Sequence, residues 1–309
     1  MKSKKTLKII LKVLVSLGFL YWVILKVNWL EVWYYLQKIS FWQMALYISI
    51  VLFGMLISSY KWKLLANFKG IKLSHWDFFK FYLTGTLINN VMPSFVGGDA
   101  YRAYQIGKPE KKYTEAASSV LMDRITGFVG ATILSVLFAI FNFKNVMKYE
   151  TLVIANILLL ASFFIDIALA KMRKVTFLKE KVKKHLPAKV VEFLQDLFSY
   201  NRNSKILIKS VVWGAIFSFV GVALSNWVLF WALDIQISIW NYLSAIFLVS
   251  IVSSIPISMN NIGIKEWAYV VFFGIFGISS SLVLTVALLS RFLQMVLSLS
   301  ALPIYIKNK

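Results

Sequence analysis

The feature that most limits the fold is a series of apolar segments, each about twenty residues long and almost free of charge. A helix of that length crosses the hydrocarbon core of a bilayer, which is roughly 30 Å thick. Hydrophobic residues make up 59% of the 309-residue chain, and a water-soluble protein of this size would not leave so much apolar surface uncovered. The sequence therefore predicts an all-α polytopic membrane protein.

The apolar segments differ in length, and this difference predicts the architecture. We place full spans at 7–25, 41–64, 119–141, 151–170, 206–231 and 281–304. Two shorter apolar pieces, 76–92 and 241–257, end at segments that cannot continue as helix, and 264–278 is too short to cross alone. We predict six full transmembrane helices and two re-entrant helical hairpins that enter from opposite faces. The alternative is a protein with eight spans.

The basic residues predict the orientation in the membrane. They concentrate in connections between the apolar segments, and cytoplasmic connections are the ones enriched in Lys and Arg. The lysines near the N-terminus and the group Lys61, Lys63, Lys69, Lys72 and Lys80 then lie inside, so both termini are cytoplasmic. This pattern accounts for the net charge of +21, and we predict a multi-pass protein of the cell membrane. Attraction to anionic lipid explains that charge better than nucleic-acid binding does.

The whole chain, 1–309, forms a single integral membrane domain, because its longest polar stretch is too short to build a soluble core. That stretch, 171–205, is predicted to be a basic cytoplasmic loop. It contains an amphipathic helix with apolar side chains at helical spacing, namely Val190, Val191, Phe193, Leu194, Leu197 and Phe198. A helix of this kind lies on an anionic membrane surface.

The first segment that interrupts an apolar piece is NNVMPSFVGGDAYR, from Asn89 to Arg102. Pro93 and the pair Gly97-Gly98 cannot continue a helix, because proline lacks the N–H and clashes with the preceding turn. Hydrocarbon tolerates broken backbone and charge only where protein or a polar cavity surrounds them. Asp99 and Arg102 share a helix face if a helix starts at Gly98.

The second such segment is IPISMNNIGIKE, from Ile255 to Glu266. It brings Lys265 and Glu266 to the start of the second hairpin's return limb. Arg291 falls near the middle of the last span and needs an acidic partner, for which Glu266, Asp123 and Asp99 are available.

We expect these charged residues to meet in one cavity between the hairpins. A slightly cationic cavity in lipid suits an anionic phosphate headgroup, which arginine, here Arg102 or Arg291, holds with two parallel hydrogen bonds. The alternative is a set of ion pairs that only hold the fold. The predicted substrate-binding residues are Asn89, Asn90, Pro93, Gly97, Gly98, Asp99, Arg102, Asp123, Arg124, Asn260, Gly263, Lys265, Glu266 and Arg291.

The two segments resemble a known family, the lysylphosphatidylglycerol synthase transmembrane region, also called flippase-like membrane proteins. The resemblance rests on N-x-x-x-P-x-x-x-G-G-D-x-x-R, on the stretch around Asp123-Arg124, and on I-P-I-S-x-N-x-I-G-I-K-E. It implies a membrane part that moves a polar lipid between leaflets. In some family members a separate soluble domain makes lysylphosphatidylglycerol, and we expect this chain, which ends just after its last span, to lack that domain.

Three functions are compatible with these observations. The first is an ATP-independent transporter of a phospholipid, an aminoacylated phospholipid or a lipid-linked sugar, since the chain has no Walker motif. The second is a membrane-embedded transferase, such as the phosphatidylglycerol lysyltransferase that the family name implies, with Asp99, Asp123 or Glu266 as its acids. The third is an accessory partner of a separate lipid synthase. The chain has no cysteine, so thiolate chemistry is excluded, and we predict membrane lipids as partners, no nucleic acid, no metal and no cofactor.

Overall fold

A computed structural model describes residues 28–91, 97–172, 187–255, 258 and 261–307, together with 14, 17, 18, 21, 22, 24 and 25; side chains at 91, 162–172 and 189 lie outside that description. In this part of the chain every regular element is a helix. In chain order they are α1 (Trp29–Gln37), α2 (Phe41–Phe68), α3 (His75–Val91), α4 (Gly97–Gly107), α5 (Tyr113–Phe141), α6 (Phe143–Val146), α7 (Glu150–Met172), α8 (Ala188–Ser199), α9 (Ser204–Ala232), α10 (Ile239–Ser254), α11 (Ile264–Gly274), α12 (Ser280–Leu299) and α13 (Leu302–Lys307).

Among the described residues, four helices are long and apolar enough to cross a membrane: Phe41–Phe68, Tyr113–Phe141, Ser204–Ala232 and Ser280–Lys307. They contain the predicted spans 41–64, 119–141, 206–231 and 281–304. Many of their exposed side chains are apolar, as on α5, where Ile133, Leu137 and Ile140 are exposed and suit contact with lipid. The all-α polytopic membrane fold is thereby confirmed. Of the other two predicted spans, 151–170 lies within α7, and 7–25 lies mostly outside the described residues.

The first predicted hairpin is formed by α3 and α4, which pack against each other. The backbone N–H of Gly98 donates to Asn89 Oδ1 at 2.8 Å, which caps the start of α4 with a side chain from the end of α3. A Cβ atom at Gly98 would lie 2.0 Å from the carbonyl oxygen of Gly85. Gly98 is therefore required because the two backbones approach too closely for any side chain. Pro93 lies outside the described residues.

The second hairpin is formed by α10 and α11, which also pack together. Its return limb begins after Gly263, whose φ of 83° is the left-handed conformation that glycine adopts without strain. Glu266 Oε2 accepts a hydrogen bond of 2.7 Å from the Gly263 N–H and so satisfies one of the first amides of α11.

The two hairpins are oppositely oriented, and α5 shows this because its two ends contact different hairpins. Ile106, near the end of α4, packs with Ala116 and Val120 in the first turns of α5. At the other end, Asn142 Nδ2, just beyond α5, donates to Asn241 Oδ1 in the first turn of α10 at 2.8 Å. The bases of the hairpins thus lie at opposite ends of the bundle. Which end faces the cytoplasm stays a prediction.

The helix α9 completes the walls around the hairpins. It packs against α2 and α5, and it contains a π-helical stretch, Ser218–Leu224. Such stretches interrupt the regular hydrogen-bond ladder and occur frequently at functional sites. The main apolar core lies mostly among α2, α9, α10, α11 and α12.

The predicted amphipathic helix corresponds to α8, which is tied to the end of α2. Lys69 Nζ lies 2.9 Å from Asp196 Oδ1 and donates to Ser199 Oγ at 2.7 Å. Leu197 packs beside Leu65 and Tyr200 in a small cluster of its own. Lys69 therefore holds α8 against the bundle. The position of α8 on a membrane surface stays a prediction.

Candidate functional site

A cavity of about 530 Å³ lies between the first hairpin and helices α2, α5, α9 and α10. Its polar lining is contributed by Asn89, Asp99 and Arg102 from the first hairpin, Lys61 from α2, and Asp123 and Arg124 from α5. Ser218 of the π-helical stretch and Ser250 and Ser254 of α10 line it as well. Both hairpins therefore contribute to one space.

The innermost charges of the cavity form a buried triad around Asp123. Lys61 Nζ lies 3.0 Å from Asp123 Oδ1 and donates to the backbone carbonyl of the same residue at 2.7 Å. Arg102 Nη2 donates to Asp123 Oδ2 at 3.2 Å. The three side chains are 2% to 7% exposed. One carboxylate thus joins α2, α4 and α5. Without it, Lys61 would have no ion-pair partner among the described residues, and Arg102 would keep only Asp99.

Two aromatic rings also contact the guanidinium of Arg102. Its Cζ lies 4.6 Å from the ring centre of Trp62 and 4.7 Å from that of Tyr82. These are cation–π distances, and the interaction is strongest where the cation is withdrawn from water. The Nε atom of Arg102 is buried and has no hydrogen-bond partner among the described residues. Arg102 is therefore fixed mainly by Asp123 and by stacking.

The outer pair of the cavity is Asp99 and Arg124. Arg124 Nε donates to Asp99 Oδ2, and Arg102 Nη2 lies 3.5 Å from Asp99 Oδ1. The side chain of Arg124 is 34% exposed, against 17% for Asp99. Among the cavity's charged groups, Arg124 is the one most accessible to a molecule that enters from outside.

The described residues that line the cavity carry a net positive charge. Lys61, Arg102 and Arg124 contribute three positive charges, whereas Asp99 and Asp123 contribute two negative ones. Residues 92–96, which lie between α3 and α4 in the sequence, include no ionisable side chain. An anion that enters can therefore neutralise the excess charge.

Lys61 is absent from the predicted site residues, since the sequence used it with Lys63 only to orient one end of the span 41–64. In the structure α2 continues to Phe68, and both lysines lie inside this helix. The signal was the helical spacing of Ser58, Lys61 and Leu65, all of which are buried. An ionisable residue on the buried face of a membrane helix needs a partner, which here is Asp123.

A second charged cluster lies at the tip of the second hairpin. Arg291 Nε donates to Glu266 Oε1 at 2.9 Å, and Arg291 Nη2 donates to the carbonyl oxygen of Asn261 at 2.9 Å. Lys265 Nζ donates to Ser290 Oγ at 2.7 Å. Of the three acids that the sequence offered to Arg291, the structure pairs it with Glu266.

The charged candidates therefore form two clusters, whereas the sequence predicts one cavity that gathers them all. The reason is electrostatic. A buried charge is costly unless it is paired, and each hairpin brings cations and carboxylates of its own within reach of its packing helix. Asp99 and Arg102 pair with α5, and Glu266 pairs with α12.

The remaining candidates have backbone or packing contacts. Asn90 Nδ2 donates to Ser298 Oγ of α12 at 2.9 Å, which ties the tip of the first hairpin to the last span. Asn89 caps α4, and Gly97 and Gly98 are its first residues. Asn260, like Pro93, lies outside the described residues.

These observations define an integral membrane protein with a charged cavity between two opposed helical hairpins. The chain belongs to the lysylphosphatidylglycerol synthase TM region family, whose model matches residues 9–301. This confirms the resemblance drawn from the two interrupting segments. The family name links the protein to lipid metabolism.

A curated relative and the solved structures add two findings. The chain is 24% identical over 264 residues to a UPF0104 membrane protein of Methanocaldococcus jannaschii, and the match covers 78% of this chain and 77% of the relative. No solved structure matches the chain. The likeness supports a multi-pass membrane protein.

Proposed function

We propose that this protein binds the anionic headgroup of a membrane lipid in the cavity and moves that lipid between the two leaflets without ATP. The observation that carries the proposal is the net positive charge of a cavity enclosed by membrane helices. Ionisable groups inside a membrane are costly, and they usually mark substrate or ion pathways. A volume of about 530 Å³ falls within the usual range for small-molecule sites.

Arg124 is the residue that we propose to hold the phosphate. A guanidinium binds a phosphate with two parallel hydrogen bonds, and such charge-assisted bonds are about twice as strong as neutral ones. Ile125, the next residue, also lines the cavity and is 41% exposed. An apolar rim beside the cation suits a lipid whose headgroup enters the cavity while its acyl chains stay in the bilayer.

The opposed hairpins supply a means of moving the headgroup. In membrane transporters, broken helices from two halves commonly form the substrate site, and one half moves against the other. Here the cavity is lined by Asn89 from the first hairpin and by Ser250 and Ser254 from the second. Displacement of either hairpin would open or close the space. We propose that the cluster of Lys265, Glu266 and Arg291 lies further along the same route.

The test is a translocation assay with purified protein in vesicles. The probe is phosphatidylglycerol with a fluorescent acyl chain, and a reductant that cannot cross the membrane destroys fluorescence in the outer leaflet. We expect wild-type protein to increase the rate at which fluorescence is lost from the inner pool. Arg124→Gln should abolish that increase, because it removes the exposed cation and keeps a polar side chain.

Lys80→Gln provides the matched control. Lys80 is 29% exposed, and among the described residues its ion-pair partner is Asp77, away from the cavity. This variant should transport at the wild-type rate. If wild-type protein accelerates no anionic, aminoacylated or glycosylated lipid, the transport proposal fails. Retained lipid binding without movement would instead indicate an accessory role beside a separate lipid synthase.

A further inference from the structure

We infer that the cavity selects lipids whose headgroup carries a single negative charge, as a phosphodiester does, and that Asp99 determines this selectivity. The inference rests on the proposed function and adds a substrate class to it. It follows from the number of charges in the cavity and from the place of Asp99 among them.

The inner triad sets the excess charge. Lys61 and Arg102 share the single carboxylate of Asp123, and all three side chains are almost completely buried. The triad therefore carries a charge of +1 that no described residue inside it neutralises. The outer pair, Asp99 and Arg124, adds one charge of each sign and leaves the total unchanged.

A phosphodiester would bring this total to zero. Its one negative charge equals the excess, so no uncompensated charge remains in a region of low dielectric constant, where such a charge is costly. A zwitterionic headgroup brings no net charge and leaves the excess in place. A phosphomonoester carries about −1.5 to −2 near neutral pH, as phosphorylated side chains do, and it exceeds the charge that the cavity can neutralise.

Because of its position, Asp99 makes the second negative charge of a phosphomonoester unfavourable. It contacts the same arginine that would hold the phosphate, so a carboxylate and a phosphate oxygen compete for one guanidinium. Arg102 relieves this competition only in part, because its Nη2, which lies 3.5 Å from Asp99 Oδ1, also donates to Asp123 at 3.2 Å. Selectivity against a competing ligand commonly uses such a repulsive element. Asp99 thus acts as a specificity-determining residue, whereas Asp123 holds the inner cations.

The experiment compares two lipids with the same fluorescent acyl chain, phosphatidylglycerol and phosphatidic acid, in the vesicle assay at pH 8. The first is a phosphodiester and the second a phosphomonoester. Wild-type protein should prefer phosphatidylglycerol. Asp99→Asn raises the cavity charge from +1 to +2, and we expect the ratio of phosphatidic acid to phosphatidylglycerol transport to rise by about tenfold, the change that ~1.4 kcal/mol produces.

Two control variants show whether the effect depends on a negative charge at position 99 or on total charge alone. Asp99→Glu keeps the negative charge and should keep the wild-type preference. Asp77→Asn removes one negative charge from the exposed pair with Lys80 and should leave the preference unchanged. A shift of equal size in Asp77→Asn would overturn the inference, because the selectivity would then reflect total charge at the membrane surface.

A variant that lowers the cavity charge, where Asp99→Asn raises it, keeps the inference testable if Asp99→Asn does not fold. Asn89→Asp adds a negative charge to the cavity lining and retains the oxygen that accepts the Gly98 N–H. Its cavity charge is zero, so the preference for phosphatidylglycerol over zwitterionic phosphatidylethanolamine should disappear. If wild-type protein transports phosphatidylglycerol but these variants keep its preferences, the inference fails and the proposed function stands. If wild-type protein transports none of the three lipids, and no aminoacylated or glycosylated lipid either, the proposed function itself fails.

Discussion

Lys61 Nζ lies 3.0 Å from Asp123 Oδ1 and also donates to the backbone carbonyl of Asp123 at 2.7 Å. The lysine thus binds both the side chain and the main chain of one residue. Because Lys61 belongs to α2 and Asp123 to α5, these contacts fix the spacing of two membrane helices. Arg102 of the first hairpin binds the other oxygen of the same carboxylate, so the hairpin is anchored to the same point.

Asp123→Asn should therefore destabilise the protein strongly. The change leaves Lys61 and Arg102 buried without a carboxylate between them, and breaking a buried ion pair costs about 3–5 kcal/mol. The measurement is thermal unfolding of the purified protein in detergent. Asp77→Asn is the matched comparison, because it breaks an exposed pair worth about 0–1 kcal/mol. Equal unfolding temperatures for the two variants would contradict the role of the triad.

The close contact between the limbs of the first hairpin gives a second prediction. In Gly98→Ala the new methyl group would lie 2.0 Å from the Gly85 carbonyl oxygen, so the limbs must separate. Overpacking of this kind costs about 1–3 kcal/mol. We expect a lower unfolding temperature and slower lipid transport. Gly274→Ala is the control, since a methyl group there meets no atom within 4 Å. Indistinguishable behaviour of the two variants would mean that the limbs of α3 and α4 are not held as described.

Lys265→Met tests the second charged cluster, because we expect it to slow transport without lowering stability. Among the described residues the structure gives Lys265 no carboxylate partner, and its ammonium donates to Ser290 Oγ. Lys265→Met removes a charge that is costly inside a membrane and keeps the apolar length of the side chain. The unfolding temperature should stay the same or rise. Transport of phosphatidylglycerol should nevertheless slow if the cluster lies on the headgroup's route.

Glu266→Gln provides the contrasting variant for this cluster. Glu266 is 4% exposed and accepts from both Arg291 and the Gly263 N–H. Its replacement leaves the Arg291 guanidinium without its carboxylate and should lower the unfolding temperature.

The transport measurement with Lys265→Met decides whether the cluster lies on the proposed route. If this variant transports phosphatidylglycerol at the wild-type rate, measured beside a fully folded wild-type control, the cluster does not lie on that route.

The sequence predicted the membrane class and the hairpins for a clear physical reason. Long apolar runs have few alternatives to a membrane helix, and a proline inside such a run kinks or breaks the helix. In the structure α4 begins at Gly97 and α11 begins after Gly263, so both hairpins lie where the sequence placed them. The spacing of Asp99 and Arg102 also predicted their proximity, which the structure confirms at 3.5 Å.

The separation of the charged residues into two clusters could not be predicted in this way, because it depends on which helices pack together. Arg291 had three possible acids in the sequence, and only the packing of α11 against α12 selects Glu266. The sequence does not show the role of Lys61 for a related reason, since that role depends on the packing of α2 against α5. Charge counting marks where a span ends, but it does not distinguish a lysine beyond the membrane from one that a buried aspartate neutralises within it.

The orientation of the protein can be checked directly because the chain contains no cysteine. Single cysteines can then report which side of the membrane each position faces, with no background from the native sequence. Gln236→Cys lies between α9 and α10, at the base of the second hairpin, and Glu110→Cys lies between α4 and α5, at the base of the first; both positions are exposed. The positive-inside pattern predicts that Gln236 faces outward and Glu110 faces the cytoplasm. In intact cells a membrane-impermeant maleimide should therefore label Gln236→Cys and leave Glu110→Cys unmodified until the cells are opened. The reverse pattern would invert the predicted topology, and labelling of both positions in intact cells would show that the two hairpins do not enter from opposite faces.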